Sequence, residues 1–149
     1  MKSIIAANHS PIPPELETLM KDRMKSTQFP TFLGLVLEEV RRDYARMRLP
    51  YRPELDQAAG LVHAGAIVSL IDSVVVTAIL SSINQVPDRL LTIDLHTHFL
   101  AGVAKEDCIA EAEVRHRGRK IVFLNVEVST PSGILVADSS LSYKVVYPR

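Results

Sequence analysis

Residues 60–80, GLVHAGAIVSLIDSVVVTAIL, constrain the fold of this chain more than any other stretch. Ile67, Leu70, Ile71, Val74, Val75, Ala78 and Ile79 recur at spacings of three and four, the stripe of a helix. Val68, Val76 and Leu80 carry apolar character onto the remaining faces. A helix apolar nearly all round belongs inside a fold. The β-branched run at 74–76 favours a strand by propensity, but the length and the sustained stripe favour helix. Asp72 interrupts this helix and is the only charged residue between His63 and Asp88. A carboxylate in that setting needs a bonded partner or a chemical task, because an unpaired buried charge is costly.

The flanking sequence says what surrounds the helix. At 149 residues the chain has the size of one domain, with residues 1–28 as an N-terminal extension carrying a short helix near 15–26. FPTFLGLVLEEV then opens a strand-like region. In the next segment Ala45, Met47 and Leu49 alternate with Arg42, Tyr44, Arg46 and Arg48, the period of a half-buried strand. After the INQVPDR turn the chain reads as consecutive strands. LLTIDLHTHFL sets Leu91, Ile93, Leu95 and Phe99 against Thr92, Asp94, His96 and His98. EDCIAEAEVRH, IVFLNVEVS and ILVADSSLSYKVVY follow, separated by RGRK and TPSG turns. Hairpins after a helix predict an α+β fold, with an antiparallel sheet wrapped around the long central apolar helix.

Composition narrows the partners. Seventeen basic residues offset seventeen acidic ones, so no bulk charge points to nucleic acid or membrane, and no helix-turn-helix segment is present. No window reaches the roughly 18 apolar residues of a membrane span, and the N-terminus lacks the apolar core of a secretory signal. A single cysteine, Cys108, excludes an intrachain disulfide. These features predict a cytoplasmic protein.

VHAG, with Asp72 nine residues after His63, resembles the HGG–x–D motif of hotdog-fold acyl-CoA thioesterases. The subgroup it is most similar to is the PaaI-like, phenylacetate-degradation type. The resemblance covers about residues 29–147 and includes the strand LLTIDLHTHFLAGV and the RHRGRK turn. It implies that Asp72 is the catalytic carboxylate and that backbone amides of Ala64 or Gly65 polarise the thioester carbonyl. Gln57 stands where the family often has a positioning asparagine, and Thr92 fills a hydroxyl position on the next strand. The resemblance also implies dimers, commonly paired into tetramers, with each active site built from two subunits. Two residues depart from the family pattern: Ala64 replaces a glycine, and Gln57 is one methylene longer than asparagine.

The chemistry agrees on one point independently. Thioester hydrolysis needs a nucleophile or activated water and a stabilised oxyanion, and a helix N-terminus supplies unpaired N–H groups. Asp72 lies eight residues beyond Ala64, roughly 12 Å along the helix. One carbonyl cannot meet both, so an intrachain site fails on distance and a second subunit is required. Asp72 then acts as base or nucleophile; the competing reading is a carboxylate bonded to backbone, Ser69, Ser73 or Thr92. His63 has two readings, a catalytic group or a helix cap.

The basic turn Arg115, Arg117, Arg119 and Lys120 is either a solvated turn or a site for the phosphates of coenzyme A. His96 and His98 form an HxH pair without an evident third ligand, so neither a metal nor a cofactor is expected. Cys108 reads as core. The expected function is therefore hydrolysis of an acyl-CoA by a homo-oligomer. An acyl-CoA-binding module without turnover and a hotdog hydratase or dehydratase are the alternatives. The HFP entry of the hydratases is absent.

Overall fold

A computed structural model describes residues 3–149. The chain opens with a single helical turn, α1 (Ile4–Ala7), capped by Ser3 Oγ. Next comes α2 (Pro14–Ser26), which starts on a proline and carries Glu15 and Glu17 in its first turn and Arg23 and Lys25 in its last. That order of charges complements the helix dipole.

The strand expected to begin at FPTFLG starts later. Residues Gln28–Leu33 form a third helix, α3, which ends on Gly34 at φ 74°. The N–H of Leu35 donates to Pro30 O and that of Gly34 to Thr31 O, so the left-handed glycine closes the helix end. Pro30 fits the first turn, where its missing N–H is not needed.

Strands β1 (Val36–Arg41) and β2 (Tyr44–Leu49) make a hairpin, and α4 (Ala64–Leu80) is the central helix. Then come β3 (Arg89–Phe99), β4 (Cys108–Arg117), β5 (Ile121–Ser129) and β6 (Leu135–Val146). All six strands join one antiparallel sheet in the order β1-β2-β4-β5-β6-β3. The sheet packs over α4, whose Leu70, Ile71, Val74, Val75, Ala78 and Ile79 are fully buried. This is the hotdog arrangement. Truncating Leu70 to alanine in such a core costs about 2–5 kcal/mol. No helix among the described residues is long and apolar enough to cross a membrane.

Two strand faces differ from the alternation read in the sequence. Tyr44, expected beside the arginines on the solvent side, is fully buried. His9 stacks on its ring at 5.4 Å, and its hydroxyl donates to Glu111 Oε1 at 2.5 Å, so the N-terminal segment covers that part of the outer face. In β3 the register shifts between Thr92 and Asp94. Thr92 lies opposite Tyr143 and Asp94 opposite Ser142, so the bulge turns residues two apart to opposite faces. Leu91, opposite Lys144, lies on the other face from Thr92, whereas Leu95 and Phe99 share the Thr92 face, so the apolar residues of β3 do not line one side. The register shift is the reason, and β3 is also an edge of the sheet, with one side unpaired.

Candidate active site

The central helix begins at His63, whose extended backbone (φ −63°, ψ 135°) is that of an N-cap. His63 Nδ1 accepts the Gly65 N–H at 2.8 Å, so the imidazole takes the cap reading. A Cβ on residue 65 would lie 3.0 Å from that nitrogen, so any larger residue would crowd the capping ring. The Gly65 amide is thereby engaged within the chain. The Ala64 N–H has no acceptor among the described residues, and Ala64 is exposed.

Two turns on, Asp72 is half-buried and its Oδ1 is held by two hydroxyls. Thr92 Oγ1 donates to it at 3.1 Å, from the residue that the β3 bulge turns inward. Tyr143, from β6, donates to the same oxygen and also reaches the Asp72 carbonyl at 3.1 Å. Tyr143 is 2% exposed, and burial followed by the bond to Asp72 pushes its phenol well above the ordinary tyrosine range. It therefore stays a neutral donor. Asp72 Oδ2 receives no hydrogen bond among the described residues and is left for other chemistry. Ser69 and Ser73 turn to the carbonyls of Gly65 and Ser69 instead of to the carboxylate.

Tyr143 is the group that reading the sequence missed. Its one signal was a tyrosine on the buried face of the last strand, which needs a partner for its hydroxyl.

A cleft of ≈ 220 Å³ opens beside Asp72. One wall is Asp72, Ser73, Val76 and Leu80 of α4; the other is Met20, Arg23 and Met24 of α2 with Phe29 of α3. The N-terminal extension thus forms half of it. A second hollow shares Met20, Arg23 and Leu80 with this cleft, and a third, of ≈ 410 Å³, shares Ile83 and Asn84 with the second. Arg117 and Arg119 line the third hollow.

The basic turn splits into separate roles. Arg117 donates twice to Asp43 Oδ1, at 2.5 and 3.2 Å, and once to Ile79 O, so it ties the β1–β2 turn to the end of α4. Arg115 pairs with Glu113 at 2.9 Å. Arg119 and Lys120 are exposed without an ion pair among the described residues. Gly118 beside them is required, because a Cβ there would sit 2.7 Å from Ile121 O.

Gln57 lies in the loop before α4, with its Oε1 accepting from the Ala59 N–H at 2.7 Å. It lines a separate hollow with Ala64, Ile67 and Phe99. Cys108 is 1% exposed, and burial pushes its thiol up to about 11, consistent with a core residue. Among the described residues no group of three or more His, Cys, Asp or Glu side chains gathers around a common point.

The thioesterase superfamily profile matches residues 59–137, which span the α4 start, Asp72 and Thr92. An esterase candidate of Halobacterium salinarum, VNG_1336C, is 32% identical over 106 residues, covering 68% of this chain and 70% of that protein. Thioesterase HI1161 of Haemophilus influenzae superposes with a TM-score of 0.79 at 21% identity, covering 89% of this chain and 90% of the other. The E. coli PaaI protein of the phenylacetic acid degradation operon superposes with a TM-score of 0.76 at 17% identity, covering 84% and 88%. The likeness to those two structures is one of fold, and the profile match carries the assignment. This chain belongs to the thioesterase superfamily and has its hotdog fold.

Proposed function

We propose that the protein is an acyl-CoA thioesterase that works as a homo-oligomer, with Asp72 of one subunit acting against the α4 start of another. The observation that carries this reading is the Asp72 carboxylate itself: Oδ1 is fixed by Thr92 and Tyr143 and Oδ2 is free beside a cleft. Membership of the thioesterase superfamily supports hydrolysis of a thioester.

In this reading Oδ2 either takes a proton from water, which attacks the carbonyl carbon, or attacks that carbon itself to give an anhydride that water then opens. The carbonyl oxygen gains charge and is met by the Ala64 N–H of the neighbouring subunit, at the positive end of its helix. The carbon–sulfur bond breaks and the coenzyme A thiolate leaves. Within one chain the roughly 12 Å along α4 keeps Ala64 from Asp72, which supports the shared site. The unpaired edge of β3, with exposed Leu91, Ile93 and Phe99, supports a second copy docking there. The neighbouring hollows from Asp72 past Leu80 and Asn84 to Arg119 support a path for the coenzyme A arm, with Arg119 and Lys120 near its phosphates.

Engagement of the Gly65 amide by His63 leaves one free amide at the helix start, and that favours a second reading, acyl-CoA binding without turnover. The same bond weighs against a hydratase, whose acid–base histidine would have to be His63. The test is a panel of acyl-CoA esters with detection of free thiol. Thiol release that Asp72→Asn abolishes, with the fold retained, supports the thioesterase. Ligand-dependent thermal stabilisation without thiol release supports the binding module and overturns turnover.

A further inference from the structure

The last part of the central helix reads VVVTAIL, and Thr77 puts one hydroxyl into that apolar run. Valine has the same branched shape without the oxygen, so burying this hydroxyl is costly unless it is bonded. The other buried polar residues of the fold, Ser81, Thr130, Ser139 and Ser142, each bond a neighbour: Ala78 O, Ser132, Thr97 and Asp94 in turn. Thr77 is 4% exposed, yet its hydroxyl has no hydrogen-bond partner among the described residues.

Its own helix offers one. Ser69 and Ser73 donate to the carbonyls four residues back, Gly65 O and Ser69 O, and the same bond from Thr77 would go to Ser73 O. Thr77 does not make it. Among the described residues the only fully enclosed side-chain polar atom without a partner is Asp56 Oδ1. The Thr77 hydroxyl is therefore not sealed in. It opens onto the cleft beside Asp72, which Thr77 lines.

Burial separates the floor of that cleft from its mouth. Met20, Pro30 and Thr77 are buried, whereas Arg23, Thr27 and Phe29 are exposed. A coenzyme A arm that passes Arg23 and Leu80 toward Arg119 stays at the mouth and leaves the floor for the acyl group.

We propose that Thr77 is a specificity-determining residue, whose hydroxyl bonds a neutral hydroxyl near the end of a short, otherwise apolar acyl chain. The proposal rests on the acyl-CoA thioesterase reading above. Thr77 lies five residues beyond Asp72, about 7.5 Å along the helix. An extended chain advances about 1.2 Å per bond, so about six bonds separate the reacting carbonyl carbon from the bonded oxygen. That is the reach of a 6-hydroxyhexanoyl group. A hydroxyl both donates and accepts, so it pairs with threonine in either sense. A carboxylate end would instead bring a second negative charge toward Asp72.

The experiment compares hexanoyl-, 3-hydroxyhexanoyl- and 6-hydroxyhexanoyl-CoA by thiol release with wild type, Thr77→Val and Thr77→Ser. The expected result is a kcat/KM about tenfold higher for the 6-hydroxy ester than for the hexanoyl ester in wild type and Thr77→Ser. That ratio falls to about one in Thr77→Val, whereas the ratio for the 3-hydroxy ester is the same in all three proteins. Thr77→Val is also expected to melt at or above the wild-type Tm, since it buries a methyl group in place of an unbonded oxygen. A 6-hydroxy preference that survives Thr77→Val, or its absence from wild type, overturns the assignment and leaves hydrolysis standing. A Tm several degrees below wild type for Thr77→Val overturns it as well, because the hydroxyl then serves the fold. If no ester releases thiol, the hydrolytic reading fails, and the same esters are ranked by thermal stabilisation. There a 6-hydroxy preference that Thr77→Val removes sustains the role of Thr77 in binding, and equal stabilisation overturns it.

Discussion

Tyr143→Phe isolates the group that fixes the proposed catalytic carboxylate. The substitution removes one hydroxyl and leaves the ring in its buried place between β6 and α4. A hydrogen bond to a charged acceptor contributes about 1.5–3 kcal/mol. Asp72 is half-buried, so water replaces part of the lost bond, and the low end, about 1.5 kcal/mol, is expected at pH 8. For a chain of this size that lowers Tm by about 3–6 °C. If the transition state uses the same restraint, kcat falls about tenfold while KM holds. The effect on stability also depends on pH. Burial and Asp72 raise the Tyr143 pKa above its ordinary 10.0, so the folded state holds this proton more tightly than the unfolded one. That contribution is complete below pH 10 and is lost as pH rises further, so wild type and Tyr143→Phe converge in alkaline urea titrations. Steady-state thiol release and urea unfolding at two pH values provide the assay. A variant with unchanged kcat and a Tm within about 1 °C of wild type refutes the positioning role.

Three further outcomes are expected. His63→Ala loses about 1 kcal/mol of stability with the cap, and Gly65→Ala loses a similar amount because its Cβ would come within 3.0 Å of the capping Nδ1. Thermal melts of the double variant should show less than the sum, and strict additivity contradicts the coupling. The Cys108 thiol is pushed from 9.0 up to about 11 by burial and then by Asp107 and Glu106, so the folded state keeps its proton longer than the unfolded one. Stability present below pH 9 should fall by roughly 3 kcal/mol as pH rises from 9 through 11, and Cys108→Ala should flatten that limb in urea midpoints. Arg117→Ala should lower Tm by releasing Asp43 and Ile79, whereas Arg119→Ala should raise KM for coenzyme A esters and leave Tm unchanged. Kinetics and melts on both variants separate the two arginines, and equal effects would merge them again.

What could be read in the chain depended on whether the cause was local. The central helix and the run of strands after it are carried by apolar periods of 3.6 and 2 within single segments, and both appear as expected. The extra helix α3 carries no clean period; its signal was Pro30 in the first turn and Gly34 at the end, which is cap chemistry instead of pattern. The β3 bulge moved Thr92 and Asp94 to opposite faces, and simple alternation cannot show an inserted residue. Asp72 stood out because it is alone among apolar residues, yet its main partner Tyr143 lies 71 residues away. Arg117 looked like its neighbours in a basic turn and is tied down by Asp43, 74 residues distant. Tertiary partners at that separation leave no mark in the local sequence.

Mixed dimers test whether each active site is shared between two subunits. Asp72→Asn removes the carboxylate. Ala64→Pro removes the free amide N–H at the first helical position, where proline is tolerated, and His63 already has the extended backbone that a following proline requires. Each variant alone should lose about 10²–10⁴-fold in thiol release, the first by losing its base and the second its oxyanion donor. Unfolded together and refolded at equal ratio, half of the dimers are mixed, and each of those carries one site with both groups intact. Recovery to about a quarter of the wild-type rate is expected. A mixture no more active than its parents contradicts a site built from two subunits.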